Sequence, residues 1–147
     1  MRRLDLGCGP NKKEGYIGID THPYPRVDVV RDVDRHGLPF DDDSVDEVRA
    51  HHFLEHCHDL IFVMNEICRV LRPGGRLVAI VPIVEVGTGA FRDPTHVRYF
   101  NKDSFLYFTG HPWTYHGLGI RPFRLADQGI GQDDMTVVLE KPKECNV

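Results

Sequence analysis

The four cysteines of this chain, Cys8, Cys57, Cys68 and Cys145, include no pair at CxxC spacing. That scatter excludes a zinc ribbon and a disulfide framework, and reduced thiols are expected. No apolar run has the length that spans a bilayer, so no membrane partner is expected. The chain opens Met-Arg-Arg and runs at once into an apolar stretch, so no signal peptide is read and a cytoplasmic location is the default. Basic clusters are missing beyond Lys12-Lys13, and the net charge is -4. Such a balance offers no general attraction to phosphate backbones, and nucleic acid is disfavoured as a partner. Internal repeats and low-complexity segments are absent too. At 147 residues there is no room for a separate substrate domain, and residues 1–147 are expected to form one domain with one core.

Also lacking is chain length between the first strands. Leu4-Asp5-Leu6 reads as a first strand, Tyr16 to Ile19 as a second and Val27 to Val30 as a third. A parallel crossover normally takes a dozen or more residues, usually including a helix. Only Pro10 to Gly15 stand between Gly9 and Tyr16, and "THPYPR" between Asp20 and Val27 carries two prolines. Neither stretch can supply a covering helix, and Arg31 to Ser44 offers at most a turn. One face of the sheet should therefore be bare. An apolar sheet face several strands wide exceeds what a monomer exposes, and burial by a second copy, as a homodimer, or by another partner is expected.

The remainder reads more conventionally. Val45 to Ala50 is a fourth strand, and from His52 to Leu71 the apolar residues follow a helical period. Arg72-Pro73-Gly74-Gly75 ends that helix, and Arg76 to Val81 is a buried fifth strand. Lys102 to Phe108 is a short helix candidate. Arg121 to Ala126 and Met135 to Lys141 read as a closing antiparallel pair. Strands alternating with crossovers indicate an α/β fold with a largely parallel sheet.

In such a sheet ligands bind beyond the carboxyl ends of the strands, where a Gly-x-Gly turn admits close backbone approach. Gly7-Cys8-Gly9 stands there. Asp20, ending the next strand, is suited to accept both hydroxyls of a ribose. The full dinucleotide fingerprint is missing, because position 12 is Lys12. On a helix, His52, Glu55 and His56 would share one face, so three metal-ligating side chains would converge.

The ordered set "LDLGCG", "GID", "LPFDDDSVDEV", "LEH", "RVLRPGGRL" and "DPTHVRYF" resembles the class I S-adenosylmethionine-dependent methyltransferases, especially the small type 11 group. The resemblance implies a Rossmann-like seven-stranded sheet of order 3-2-1-4-5-7-6 with the seventh strand antiparallel, here in a minimal version without the helices after strands 1 and 2. It implies that Asp5, Gly7, Cys8 and Gly9 surround the methionine part of S-adenosylmethionine, that Asp20 holds the ribose, that Asp32 with Val33 faces the adenine amino group, and that His51 backs the sulfonium end. Metal-dependent methyltransferases carry a similar Glu-x-x-Glu-His at the "HHFLEH" position, some with a downstream histidine. By that similarity a divalent metal would be held by His52, Glu55, His56 and His96; imidazole in place of the first glutamate argues against magnesium. The bland counterpart has Glu55 capping the helix and His56 packing in the cleft.

Methyl transfer from a sulfonium needs alignment and, for a hydroxyl acceptor, removal of a proton. His52, His56 and His96 are the candidates for that task, with Asp93 next. His22, His36, His58, His111 and His116 read as surface or packing residues. The favoured function is methyl transfer to an acceptor, oxygen fitting best. An inactive S-adenosylmethionine-binding scaffold or regulatory subunit is the rival from another class. A nicotinamide-dependent oxidoreductase is disfavoured by the incomplete fingerprint.

Overall fold

The computed structural model describes residues 1–144; Cys145 lies outside them. Seven strands form one sheet, β1 (Arg3–Leu6), β2 (Ile17–Asp20), β3 (Val29–Val30), β4 (Val45–His51), β5 (Leu71–Pro82), β6 (Arg124–Ile130) and β7 (Asp134–Glu140), in the order β3-β2-β1-β4-β5-β7-β6. The first five pair in parallel, while β7 runs antiparallel to both β5 and β6. The expected topology is therefore present. Most strand bounds shift by a residue or more, with larger shifts at β3, β5 and β6. Strand β3 keeps only two of its four expected residues, because Asp28 turns its carboxylate onto the Gly18 N–H at 2.8 Å and Lys12 at 2.8 Å. Strand β6 begins at Arg124, after Pro122, which has no N–H for a ladder.

The helix expected from His52 to Leu71 is split. A 3-10 turn covers Leu54–His56, and helix α2 starts only at Leu60 and ends at Val70. The cause is Asp34, whose carboxylate takes the N–H groups of both His58 and Asp59 at 2.8 Å. Asp59 in turn caps α2 by accepting from Phe62 N–H at 3.0 Å. A continuous helix would need those same donors. His52, Glu55 and His56 therefore do not share one α-helical face. "RPGG" does follow the helix end, but it lies inside β5 as a bulge between the register pairs Leu71↔Val45 and Arg76↔Glu47, with Gly74 N–H donating to the Lys141 carbonyl and Lys141 N–H to that of Gly75, each at 2.9 Å.

Strand alternation sorts the side chains onto two unlike faces. Leu4, Leu6, Val48, Ala50, Leu77, Ala79, Val137 and Leu139 are fully buried and join one cluster with Val63, Met64 and Ile67 of α2 and Phe105 and Phe108 of the 3-10 turn Ser104–Phe108. Each such side chain contributes roughly 1.5–3 kcal/mol by leaving water. The one-turn helix α1 (Val33–His36) joins the same layer through Val33. The short α3 (Gly89–Arg92) sits at the carboxyl end, against Pro82.

No helix forms after β1 or β2, as expected, but the face thereby left open is not apolar. It carries Arg3, Asp5, Glu47, Arg49, Arg76 and Glu140, with Val78, Ile80 and Val138 as its half-buried apolar members. Asp5 is 1% exposed and accepts from Lys13 N–H at 2.9 Å and from the Arg49 guanidinium at 3.2 Å. The loop after β1 thus lies on this face and covers part of it, with Arg3 and Lys13 over the Tyr16 ring and the Tyr16 hydroxyl donating to Glu47. Arg76 and Arg124 pair with Glu140. The apolar patch that would have demanded a second copy is replaced by ion pairs that water tolerates.

Segment 37–43 is tied to α2 in a similar way. Glu66 accepts from Leu38 N–H at 2.8 Å, and Arg69 binds Glu66, Asp42 and the Leu38 and Phe40 carbonyls. The Arg69 guanidinium holds the Glu66 carboxyl below its ordinary range against the opposing effect of burial. A depressed folded pKa means stabilisation that is present above the unfolded carboxylate range and lost as pH falls through the folded value. Glu66→Gln should therefore flatten the acid limb of the urea midpoint between about pH 3 and 5; an unaltered slope there would refute this. Arg49→Met should cost about 2 kcal/mol, below the figure for a wholly buried pair because Arg49 is partly exposed. Adding Asp5→Asn should recover part of that loss, and a double variant no better than Arg49→Met would contradict the pairing.

Candidate functional site

Two concave spaces open at the carboxyl ends of the strands. A cleft of about 750 Å³ lies over β1, β2 and α1, lined among others by Gly7, Asp20, Asp32, Val33, His52 and Phe53. A cavity of about 480 Å³ lies over β4, β5 and β7, with His52, Glu55, His56, Arg92, Asp93 and His96 in its wall. His52 and His56 belong to both linings.

The glycine turn is built by backbone needs. Gly7 has φ +61, and a Cβ there would lie 2.7 Å from the Phe53 ring, so a side chain would be both strained and blocked. Gly7 N–H closes the turn on the Ile19 carbonyl at 2.8 Å. Gly9 N–H donates to one Asp20 oxygen and His22 N–H to the other, each at 2.9 Å. Asp20 thereby fastens the turn to the end of β2, while each oxygen keeps a second lone pair for a ligand.

Of the eight residues expected around a cofactor, Gly7, Asp20, Asp32 and Val33 line the cleft. Asp32 also caps α1, accepting from Arg35 N–H at 3.3 Å. Asp5, Cys8, Gly9 and His51 do not line it. Asp5 is committed to Lys13 and Arg49, as described above. Cys8 turns its sulfur toward Gly18, and burial, then the charges of Asp5 and Asp20, push its thiol pKa up. His51 sits at the end of β4 with its ring 2.7 Å from Arg49; burial, then the neighbouring His52 and Arg49, lower its pKa.

His52, rather than His51, lines the cleft. Its φ is +54, uncommon for a residue with a side chain, and its N–H still reaches the Ile80 carbonyl at 2.9 Å. Its ring lies between two carboxylates, Nδ1 being 3.3 Å from Glu55 and Nε2 3.5 Å from Asp134. Glu55 foremost, with Asp134, raises its pKa against burial. Glu55 itself is 0% exposed, and neither of its carboxylate oxygens has a hydrogen-bond partner. Asp93 is held below the ordinary carboxyl range by the Thr95 hydroxyl and N–H.

Glu55, His56 and His96 each offer one ligating atom within 4.8 Å of the other two. His52 is outside that group, so the four-ligand expectation is reduced to three. Asp133 and Asp134, which complete the cavity wall, were invisible to sequence reasoning. "GQDD" reads as a hairpin turn, and only the β6–β7 pairing carries it to the cavity.

Comparison with known proteins follows the same geometry. The methyltransferase domain family matches residues 4–79, a span that runs from β1 into β5. A probable S-adenosylmethionine-dependent methyltransferase of Mycolicibacterium smegmatis is 38% identical over 126 residues, covering 67% of this chain and 46% of that protein. Methyltransferase GfsG of Streptomyces halstedii is 35% identical over 108 residues, covering 58% of this chain and 38% of its own. The chain thus spans less than half the length of these curated relatives. Among solved structures, the Haloferax volcanii complex of the Trm112 methyltransferase activator with a methyltransferase is similar at TM-score 0.71 and 20% identity, over 96% of this chain and 82% of that one. With the glycine turn, the strand order and the match over half its length, the chain belongs to the class I S-adenosylmethionine-dependent methyltransferases, in the type 11 group.

Proposed function

We propose that residues 1–147 act as a single domain that binds S-adenosylmethionine in the 750 Å³ cleft and transfers its methyl group to a small acceptor, through oxygen, in the 480 Å³ cavity. The observation that carries this reading is that His52 and His56 border both spaces. A sulfonium methyl at that boundary can face an acceptor without crossing protein.

On this reading, Asp20 accepts the ribose hydroxyls with its remaining lone pairs, Asp32 faces the adenine amino group, and the bare Gly7 backbone admits the methionine part. The acceptor oxygen attacks the methyl carbon in line as the carbon–sulfur bond breaks, and the sulfonium leaves as a neutral thioether. The acceptor's proton passes to Nε2 of His52. Buried Glu55 favours the tautomer with hydrogen on Nδ1, leaving the Nε2 lone pair on the cavity side. Once protonated, the ring lies between Glu55 and Asp134, whose charges stabilise the imidazolium. His56, His96 and Asp93 then shape the cavity wall rather than take the proton.

Calorimetry with S-adenosylhomocysteine tests the first half. Asp20→Ala should weaken binding about 10- to 100-fold, the scale of a charge-assisted hydrogen-bond pair; equal affinity would remove Asp20 from the ribose role. For the second half, His52→Gln should lower kcat about 100-fold or more on any acceptor found to turn over, with homocysteine-product affinity retained. Equal loss of binding and turnover would make His52 a structural residue instead. Tight binding of S-adenosylhomocysteine without turnover across a broad panel of hydroxyl acceptors would favour the inactive-scaffold alternative.

A further inference from the structure

We propose that Glu55, His56 and His96 hold a first-row transition-metal dication in the wall of the 480 Å³ cavity. This site goes beyond the methyl-transfer reading and does not depend on it.

The first argument is the Glu55 carboxylate. It is wholly buried, and both of its oxygens lack a hydrogen-bond donor. An ionised group in that position is costly unless a cation or donor meets it. His52 Nδ1 stands 3.3 Å from one oxygen as a long ion-pair contact, and no donor meets the other oxygen among the described residues.

The second argument is the hydrogen bonding behind the two histidines. His96 Nδ1 lies 2.9 Å from the Ala90 carbonyl, which can only accept, so Nδ1 carries the hydrogen. His56 Nδ1 faces the Thr95 carbonyl at 3.2 Å and the Thr95 hydroxyl oxygen at 3.3 Å. That hydroxyl gives its own hydrogen to Asp93 at 2.6 Å, so toward His56 it too is an acceptor. In the neutral form of each ring the hydrogen is thereby placed on Nδ1, and Nε2 is the nitrogen left for a ligand. Carbonyl groups that fix the tautomer in this way are the usual support of metal-binding imidazoles.

A third observation concerns Asp93. Its Oδ2 stands 3.6 Å from His96 Nε2. With the neutral ring's hydrogen on Nδ1, those two atoms are both acceptors, and a cation beside them would be met by both. His96 has a side chain only 8% exposed, so water screens that contact poorly.

Ligand bonds of about 2.0–2.2 Å place donor atoms about 3.0–3.5 Å apart around one ion. The observed spread of up to 4.8 Å must therefore close by about 1.3–1.8 Å when one ion is bound. Two imidazoles and one carboxylate suit zinc, manganese, iron(II) or cobalt better than magnesium or calcium. The remaining coordination positions face the cavity, where an acceptor oxygen or water could complete the set.

The test uses the full chain after chelator dialysis, titrated with cobalt(II) as a visible probe. Absorption from ligand-field bands should rise and saturate at one equivalent, zinc should displace it, and a large excess of magnesium should not. Glu55→Gln and His96→Asn should each weaken cobalt binding by about 100-fold, at least the loss seen on removing a mere supporting contact, while His116→Asn leaves it unchanged. If Glu55→Gln does not fold, as judged by its urea transition, His96→Asn decides alone. No saturable absorption in the wild type, or equal binding in His96→Asn, overturns the site. Affinity for S-adenosylhomocysteine measured on the same chelated sample separates this outcome from the cofactor reading, since either can fail with the other intact.

Discussion

The interaction on which this compact version of the fold depends is a carboxylate accepting backbone N–H groups where a helix would otherwise satisfy them. A parallel crossover must return the chain along the sheet, and any N–H buried on the way needs a partner. Asp5 supplies one for Lys13, Asp20 for Gly9 and His22, Asp28 for Gly18, and Asp34 for His58 and Asp59. Glu66 does the same for Leu38, and Asp46 for Arg2 at 2.7 Å. Bonds of this charge-assisted kind are stronger than neutral ones. A loop of a few residues can therefore be fixed without the length a helix requires.

That substitution also explains the two unlike faces of the sheet. Removing the helices of one layer would ordinarily expose a broad apolar surface. Here β1 and β4 point Arg, Asp and Glu outward at Arg3, Asp5, Glu47 and Arg49, and β5 and β7 place Arg76 and Glu140 beside the half-buried Val78, Ile80 and Val138. Opposite charges fall on register partners, Asp5 with Arg49 and Arg76 with Glu140. Cross-strand pairs of this sort favour the pairing they join, so the open face contributes to register as well as to solvation. The negative charge of the chain is, to this extent, structural.

Much of the fold was legible because its signals are local. Glycine at the first turn, the apolar runs and the helix-stopping "RPGG" marked the strands, the resemblance to the methyltransferases supplied their order, and the shortage of residues correctly excluded two helices. The split helix has a non-local cause. Periodicity continued from His52 to Leu71, but Asp34, 24 and 25 residues away from the donors it captures, interrupts the helix at His58-Asp59. Alternation in "RLDL" and "DEVRAH" marks the outward face of those strands as charged, a local signal opposed to an apolar patch. At the site, Asp20, Asp32 and His52 were identifiable from position, whereas Asp134 reaches His52 only through the antiparallel return of β7. No sequence-local signal joins those two residues.

The left-handed backbone at His52 connects the fold to its chemistry. His51 continues the outward alternation of β4 and ends beside Arg49, so the next residue is the first that can leave the sheet plane. With φ at +54, His52 turns the chain upward while its N–H keeps the ladder bond to Ile80. A non-glycine residue in that region carries a cost of order 1 kcal/mol or more, and it persists where the surroundings fix it. Here the fixing groups are Glu55 on one side of the ring and Asp134 on the other. The same turn carries Phe53 under Gly7 and brings Glu55 and His56 to the cavity wall. A helix running from His52 without a break would have carried these side chains up one face, away from the strand ends. The interruption imposed by Asp34 is therefore what sets the glycine turn, the paired histidines and the buried glutamate around one boundary between cleft and cavity.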